Sequence, residues 1–215
     1  MGPIVQGSDA RRHVGADGPW RPTATPPRGP EYREEPCYGR LDMHELILNR
    51  AHYERVIAEA LPGARHFLWM ATADLKDLHV AGPRGRFVPL LSVLADLLKA
   101  GVDIRLFHAK EPGPAFRADF DRFPVLRSES FERILCPRMH MKVILVDGRL
   151  AYVGSANLTG AGIGAKSARK RNFEAGFLTD DAAAIKALMG ELDRLYLGDH
   201  CPDCGRREYC PDPLR

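Results

Sequence analysis

The run from Met141 to Val146 is strand-like and apolar on both faces. The Asp147-Gly148 pair behind it is a strong hairpin signal, and Leu150–Val153 runs back. Upstream, His66–Ala71 is a short apolar run of strand length. Leu90, Leu91, Leu94, Leu97 and Leu98 then recur at helical spacing before Gly101, and Val102–Phe107 is the next strand. Residues 66–107 thus form a βαβ unit, which builds a parallel or mixed sheet covered by helices. Phe173–Thr179 is a further strand. Asp180 is the expected cap of a last helix carrying Ala184, Ile185, Leu188, Met189, Leu192 and Leu195, stopped near Gly198. Near the start of order, Asp42 and Glu45 resemble a capping box, and Leu46, Ile47, Ile57 and Leu61 form a helical stripe ended by Pro62-Gly63, so one helix is expected there. Between Pro112 and Glu132, Phe116, Phe120 and Phe123 suit one face of a short helix, and three prolines punctuate the rest. There is no internal repeat.

The 215 residues fit one domain with some length to spare. Residues 1–40 hold seven Pro and six Gly without apolar periodicity and are expected to be a flexible arm; 41–198 is the α/β domain, and 199–215 a Cys-rich tail. With 31 Lys+Arg against 28 Asp+Glu the net charge is +3, which excludes a histone-like polycation, so any nucleic-acid surface must be a local patch. No apolar run approaches the roughly 18 to 20 residues of a membrane span, and the N-terminus lacks a signal-peptide stretch. A cytoplasmic protein is expected. Five cysteines are too few for a disulfide scaffold of this size, which favours reduced thiols, some of them on a metal.

Side chains two apart on a strand share a face, so His140 and Lys142 project together. If Asp147-Gly148 is a two-residue turn, paired positions sum to 295, which sets His140 opposite Ser155 with Asn157 just beyond. Asp147 then lies roughly 20 Å from His140, at about 3.3 Å per residue, and belongs to the turn. This group suits phosphoryl chemistry. An imidazole can attack phosphorus, a lysine supplies fixed positive charge, and Asn and Ser donate to the nonbridging oxygens. A second group of opposite protonation state is still needed to protonate the leaving oxygen.

The pattern H-x-K-x4-D-x6-G-S-x-N, present as His140, Lys142, Asp147, Gly154, Ser155 and Asn157, resembles the signature of the phospholipase D superfamily. The segment Asn172-Phe173-Glu174-Ala175-Gly176 is similar to the family's acidic segment, which implies that Glu174 orients the nucleophilic histidine. The resemblance spans about residues 42–197 and implies a mixed sheet flanked by helices. Two such motifs per chain are usual in the family, and this chain has one. Single-motif members pair as homodimers, one histidine acting as nucleophile and its mate as general acid, with no metal or other cofactor needed for catalysis.

Two features lie outside the motif. Cys201, Cys204 and Cys210 form C-x2-C-x5-C, a spacing suited to a structural zinc site. Cys37 is the preferred fourth ligand and His200 the alternative. Cys136 is read as a small buried residue, and the zinc is expected away from His140. The glycine-rich loop 160–164 is followed by Lys166, Arg169, Lys170 and Arg171, cations suited to a polyanion backbone. The expectation is a phosphodiester hydrolase acting on nucleic acid as a homodimer, with resemblance to bacterial endonucleases, including those of restriction or defence assemblies. The alternatives are a lipid hydrolase or phosphatidyl transferase, and a catalytically silent DNA-binding subunit.

Overall fold

The computed structural model describes residues 44–82 and 86–214, so the 1–40 arm and Cys37 lie outside the described residues. From β1 (His44–Leu48) the chain enters a π-helix (His52–Ala60) and then β2 (Phe67–Thr72), followed by the small hairpin β3 (His79–Ala81) and β4 (Phe87–Pro89). Next come α1 (Leu90–Lys99), β5 (Asp103–His108), α2 (Pro114–Asp121) and β6 (Phe131–Leu135). The chain continues through β7 (Val143–Val146), β8 (Leu150–Gly154) and β9 (Ala175–Thr179) to α3 (Ala182–Leu197). Seven strands make one sheet in the order β1-β9-β8-β7-β2-β5-β6. β2, β5 and β6 are parallel and the other neighbours antiparallel, so the sheet is mixed.

Alternation along the strands sends side chains into two apolar layers. Leu68 and Met70 of β2 join Val56, Leu61, Leu94, Ile104, Leu106 and Tyr152 on the face covered by the π-helix and α1. Trp69 and Ala71 join Phe107, Val143, Leu145 and Ala151 on the face closed by Ile185 and Leu192 of α3. Two-sided burial is the reason these strands read as continuous apolar runs.

Three expectations change. Leu46 and Ile47 belong to a strand and not to a helical stripe: Ile47 is buried, Leu46 and Leu48 are exposed, and β1 pairs with β9 from His44↔Thr179 to Leu48↔Ala175. An open strand edge that takes a period-two segment outcompeted the local helical pattern. The D-G turn forms, with Asp147 at φ 53° and Gly148 at φ 65°, but Arg149 adds a residue on the return side. The ladder pairs Val146↔Leu150 through Val143↔Val153, so positions sum to 296 and His140 is not in register with Ser155. The cap of α3 is Asp181, which accepts from Ala183 N (3.3 Å) and Ala184 N (3.1 Å). Part of the segment 112–132 leads into β6, an edge strand that its isolated composition does not announce.

Asp147 is buried, and its carboxylate accepts three backbone N–H groups: Arg65 at 2.9 Å, His66 at 2.8 Å and Phe67 at 2.9 Å. Its own N–H donates to Phe67 O at 3.0 Å, so the hairpin turn and the start of β2 are clamped together. Asp147→Ala strands those donors beneath the sheet and should lower unfolding stability by about 3 kcal/mol. Urea denaturation measures this; a loss below about 1 kcal/mol would mean that water replaces the carboxylate.

Candidate active site

His140 and Lys142 lie just before β7, whose first paired residue is Val143. Lys142 O accepts Gly154 N–H at 3.1 Å, which ties this approach to the end of β8. The Lys142 ammonium donates to His140 O at 2.7 Å and stands 3.4 Å from both ring nitrogens of His140. His140 is exposed and Lys142 half-buried. Burial pushes the Lys142 amine below the usual lysine range, against the opposing pull of the Glu174 carboxylate.

The far side of the site is built on Tyr152. Its ring is buried, its hydroxyl accepts Ala156 N–H at 3.2 Å, and burial pushes the phenol far above its usual range, so it remains neutral. A Cβ on Gly154 would collide with that hydroxyl, and one on Gly176 would stand 2.7 Å from the ring, so the two glycines let β8 and β9 close over the tyrosine. This close approach sets Ser155 beside Glu174. The Ser155 hydroxyl donates to Glu174 Oε2 and accepts Ala175 N–H at 3.1 Å, while Asn172 Nδ2 donates to Glu174 Oε1 at 3.0 Å. The Glu174 main chain is held by Asn49: Asn49 N donates to Glu174 O at 2.9 Å, and Glu174 N donates to Asn49 Oδ1 at 3.1 Å. In this arrangement Glu174 bonds Ser155 and Asn172 rather than His140, and it acts on Lys142 through charge.

Asn157 is fixed from β2. Its Oδ1 accepts from Thr72 Oγ1 at 3.2 Å and from Asp74 N at 3.1 Å, which leaves the amide Nδ2 as its donor toward a ligand. The glycine-rich loop closes by Ile163 N to Thr159 O (3.0 Å) and Lys166 N to Gly160 O (2.9 Å). Lys166, Arg169 and Lys170 are exposed on the segment that joins Asn157 to Glu174, whereas Arg171 is half-buried.

Cys201, Cys204 and Cys210 line a cavity of about 440 Å³ together with Cys136, His140 and His200. The tail therefore sits beside the motif histidine and not away from it, and Cys136 is half-buried, not fully buried. Among the described residues no three His, Cys, Asp or Glu side chains form a ready metal cage.

Asn49, Thr72, Tyr152 and Asn172 shape the site without having been singled out in the sequence. Asn172 stood within the quoted Glu174 segment; Thr72 and Asn49 act across 85 and 125 residues of chain, a separation for which local patterning carries no signal.

A seven-stranded mixed sheet between helices, with a His-x-Lys approach facing a Gly-Ser-x-Asn strand end, defines a phosphoryl-handling α/β class. The chain belongs to the phospholipase D superfamily: residues 57–196 match the family model described as cardiolipin synthase, PLD-like domain. Members are phosphodiesterases or phosphotransferases. Cardiolipin synthases of Geobacillus thermodenitrificans (strain NG80-2) and Geobacillus kaustophilus (strain HTA426) are each 34% identical over 96 residues, 41% of this chain. The match spans only 19% of the length of either relative. Among solved structures, NucT from Helicobacter pylori superposes with a TM-score of 0.52 at 13% identity, covering 71% of this chain and 94% of that one. Nuc from Salmonella typhimurium, a phospholipase D family member, gives a TM-score of 0.49 at 17% identity over 71% of this chain and 94% of that one. No helix among the described residues is long and apolar enough to cross a membrane.

In a 13C-methylated sample followed by NMR, the Lys142 amine should titrate below the surface lysines. Glu174→Gln should lower it further, because the lost carboxylate favoured the charged form. A Lys142 resonance that titrates with the surface lysines in both proteins would overturn this electrostatic picture.

Proposed function

We propose that the protein is a phosphodiesterase that cuts nucleic acid through a phosphohistidine intermediate, without a catalytic metal, as a two-fold dimer. The observation that carries the chemistry is the Lys142 ammonium 3.4 Å from both His140 ring nitrogens, opposite the Ser155–Glu174 pair. The neutral His140 imidazole attacks phosphorus, and a P–N bond forms as the P–O bond to the leaving group breaks. Lys142 and Asn157 Nδ2 stabilise charge on the nonbridging oxygens, while the Ser155 hydroxyl, donated to Glu174, holds that carboxylate in place. The leaving oxygen takes a proton from the second copy's His140. That histidine then accepts a proton from water as the water attacks phosphorus, and cleavage of the P–N bond restores both side chains.

One chain supplies one such histidine, and the surface next to the site supports its pairing. Leu46, Phe177 and Val153 stand in register across β1, β9 and β8, all exposed, and Leu48 lies in the adjacent row with Ala175. That row reaches Ser155 through its bond to Ala175 O at 3.0 Å. An apolar strip beside half a site suits burial against its symmetry mate. Nucleic acid is favoured by the exposed Lys166, Arg169 and Lys170, which would neutralise backbone phosphates. A phosphatidyl-transfer reading is supported by the cardiolipin synthase relatives, and a silent binding subunit is the third reading.

Labelled DNA, RNA and phosphatidylglycerol vesicles, each incubated in EDTA with wild type and His140→Ala, separate the three. Cleavage of nucleic acid by wild type alone is expected; turnover of lipid alone would transfer the site to lipid chemistry, and none at all would leave a binding subunit. Lys142→Ala and Asn157→Ala should each reduce turnover about a hundredfold, the usual cost of removing one preorganised donor. Phe177→Glu with Leu46→Glu should yield monomers by sedimentation and abolish turnover. A fully active monomer would end the dimer model.

A further inference from the structure

Three of the five cysteines, Cys136, Cys201 and Cys210, are each followed by proline, at Pro137, Pro202 and Pro211; Cys37 is followed by Tyr38. Proline holds φ near −65° and gives up its N–H, so it starts a tight turn whose next N–H can point back at the preceding sulfur. The Cys136-Pro137 turn and the Cys201-Pro202 turn both form, and the tail adds a further turn at Cys204-Gly205. In the β6–β7 connection, Met139 N donates to Cys136 O at 2.8 Å, and in the tail Arg207 N donates to Cys204 O at 3.0 Å. Cys201 opens the tail turns, with Cys204 N to Cys201 O at 3.3 Å, and Cys210 closes them through Cys210 N to Arg207 O at 3.2 Å.

The Cys136 turn and the tail turns face each other across the cavity beside α3. All four thiols are half-buried in its lining, and Cys136 lies within reach of the charge of each tail cysteine. Crossed arginines hold the turns together: Arg206 Nη1 donates to Pro137 O at 2.8 Å, and Arg138 Nη1 lies 3.9 Å from the Cys204 sulfur. His200 lines the same cavity but is engaged by Glu191 at 3.1 Å.

We infer that Cys136, Cys201, Cys204 and Cys210 form a four-thiolate site for a zinc-like divalent ion, which staples the C-terminal tail to the loop that carries His140. This assigns the fourth position to Cys136 in place of Cys37 or His200. Among the described residues no three His, Cys, Asp or Glu side chains stand as a ready metal cage; a divalent cation, which displaces the thiol protons on binding, would draw the four sulfurs to about 2.3 Å in a tetrahedron. Because Cys136 and His140 are four residues apart on one connection, the ion would set the position of the nucleophile without touching the reaction.

The test is metal content, which does not depend on any activity. Full-length protein purified without chelator from cells grown with zinc should hold about one zinc per chain, matching the single four-ligand site. Cells grown on cobalt should yield protein with the sulfur-to-metal charge-transfer and d–d absorption of a tetrahedral thiolate site. Cys37→Ser should leave both signals intact, and Cys136→Ser should lose them. Should Cys136→Ser fail to fold, alkylation of wild type read by mass spectrometry serves instead: Cys136, Cys201, Cys204 and Cys210 should be protected together and exposed by chelator, while Cys37 labels throughout. Metal-free wild type, retention of metal by Cys136→Ser, a requirement for Cys37, or free labelling of Cys136 in the zinc-loaded protein would each overturn the site.

Discussion

The clamp between Asp147 and the start of β2 is the interaction on which the rest of the structure depends. One buried carboxylate gathers the N–H groups of Arg65, His66 and Phe67, which lie 80 to 82 residues earlier in the chain. Those donors would otherwise be orphans at a strand entry, so the aspartate removes a desolvation cost as it aligns β2 with β7. With β7 set, β2 brings Thr72 to the opposite end of the sheet, where it holds Asn157. An acid in the motif thus serves a site to which it does not belong chemically.

At that opposite end the organising group is Tyr152. Its ring fills the space that side chains at Gly154 and Gly176 would need, and the resulting close approach of β8 and β9 places Ser155 against Glu174. The π-helix adds a second support: His52 packs edge-on to Tyr152 with centroids 5.5 Å apart, and its Nδ1–H donates to Asn49 O at 2.9 Å. Asn49, at φ 49°, then brackets the Glu174 main chain. The motif glycine therefore acts through packing, while the motif serine and lysine act through charge and hydrogen bonding.

The electrostatics on the two sides of His140 differ in kind. Toward Ser155, a lysine and a glutamate of opposite sign share a half-buried space, and the carboxylate favours the charged form of the amine against burial. Toward the tail, four thiols line one cavity, and the Cys136 thiol is pushed up chiefly by burial, with a smaller push from the other three. The first arrangement is balanced by side chains alone. In the proposed site a cation would balance the second.

Much of this was legible before any fold was known. The βαβ unit at 66–107 and the hairpin at 141–153 followed from apolar periodicity, because two-sided burial and helical stripes are local properties of a chain. The grouping of His140, Lys142, Ser155 and Asn157 was read from the D-G turn; the turn forms one residue longer, and the approach to β7 is tied to the end of β8 by Gly154 N to Lys142 O at 3.1 Å. Local pattern failed where a distant partner decided the outcome. His44–Leu48 became a strand because β9 offered an open edge, Cys136 met the tail because the sheet brought residue 136 beside α3, and Asn49 and Thr72 reached the site across long stretches of chain. Propensity and spacing are written in neighbouring residues, whereas the identity of a side chain's partner is settled only when backbone hydrogen bonds and core packing bring remote segments together.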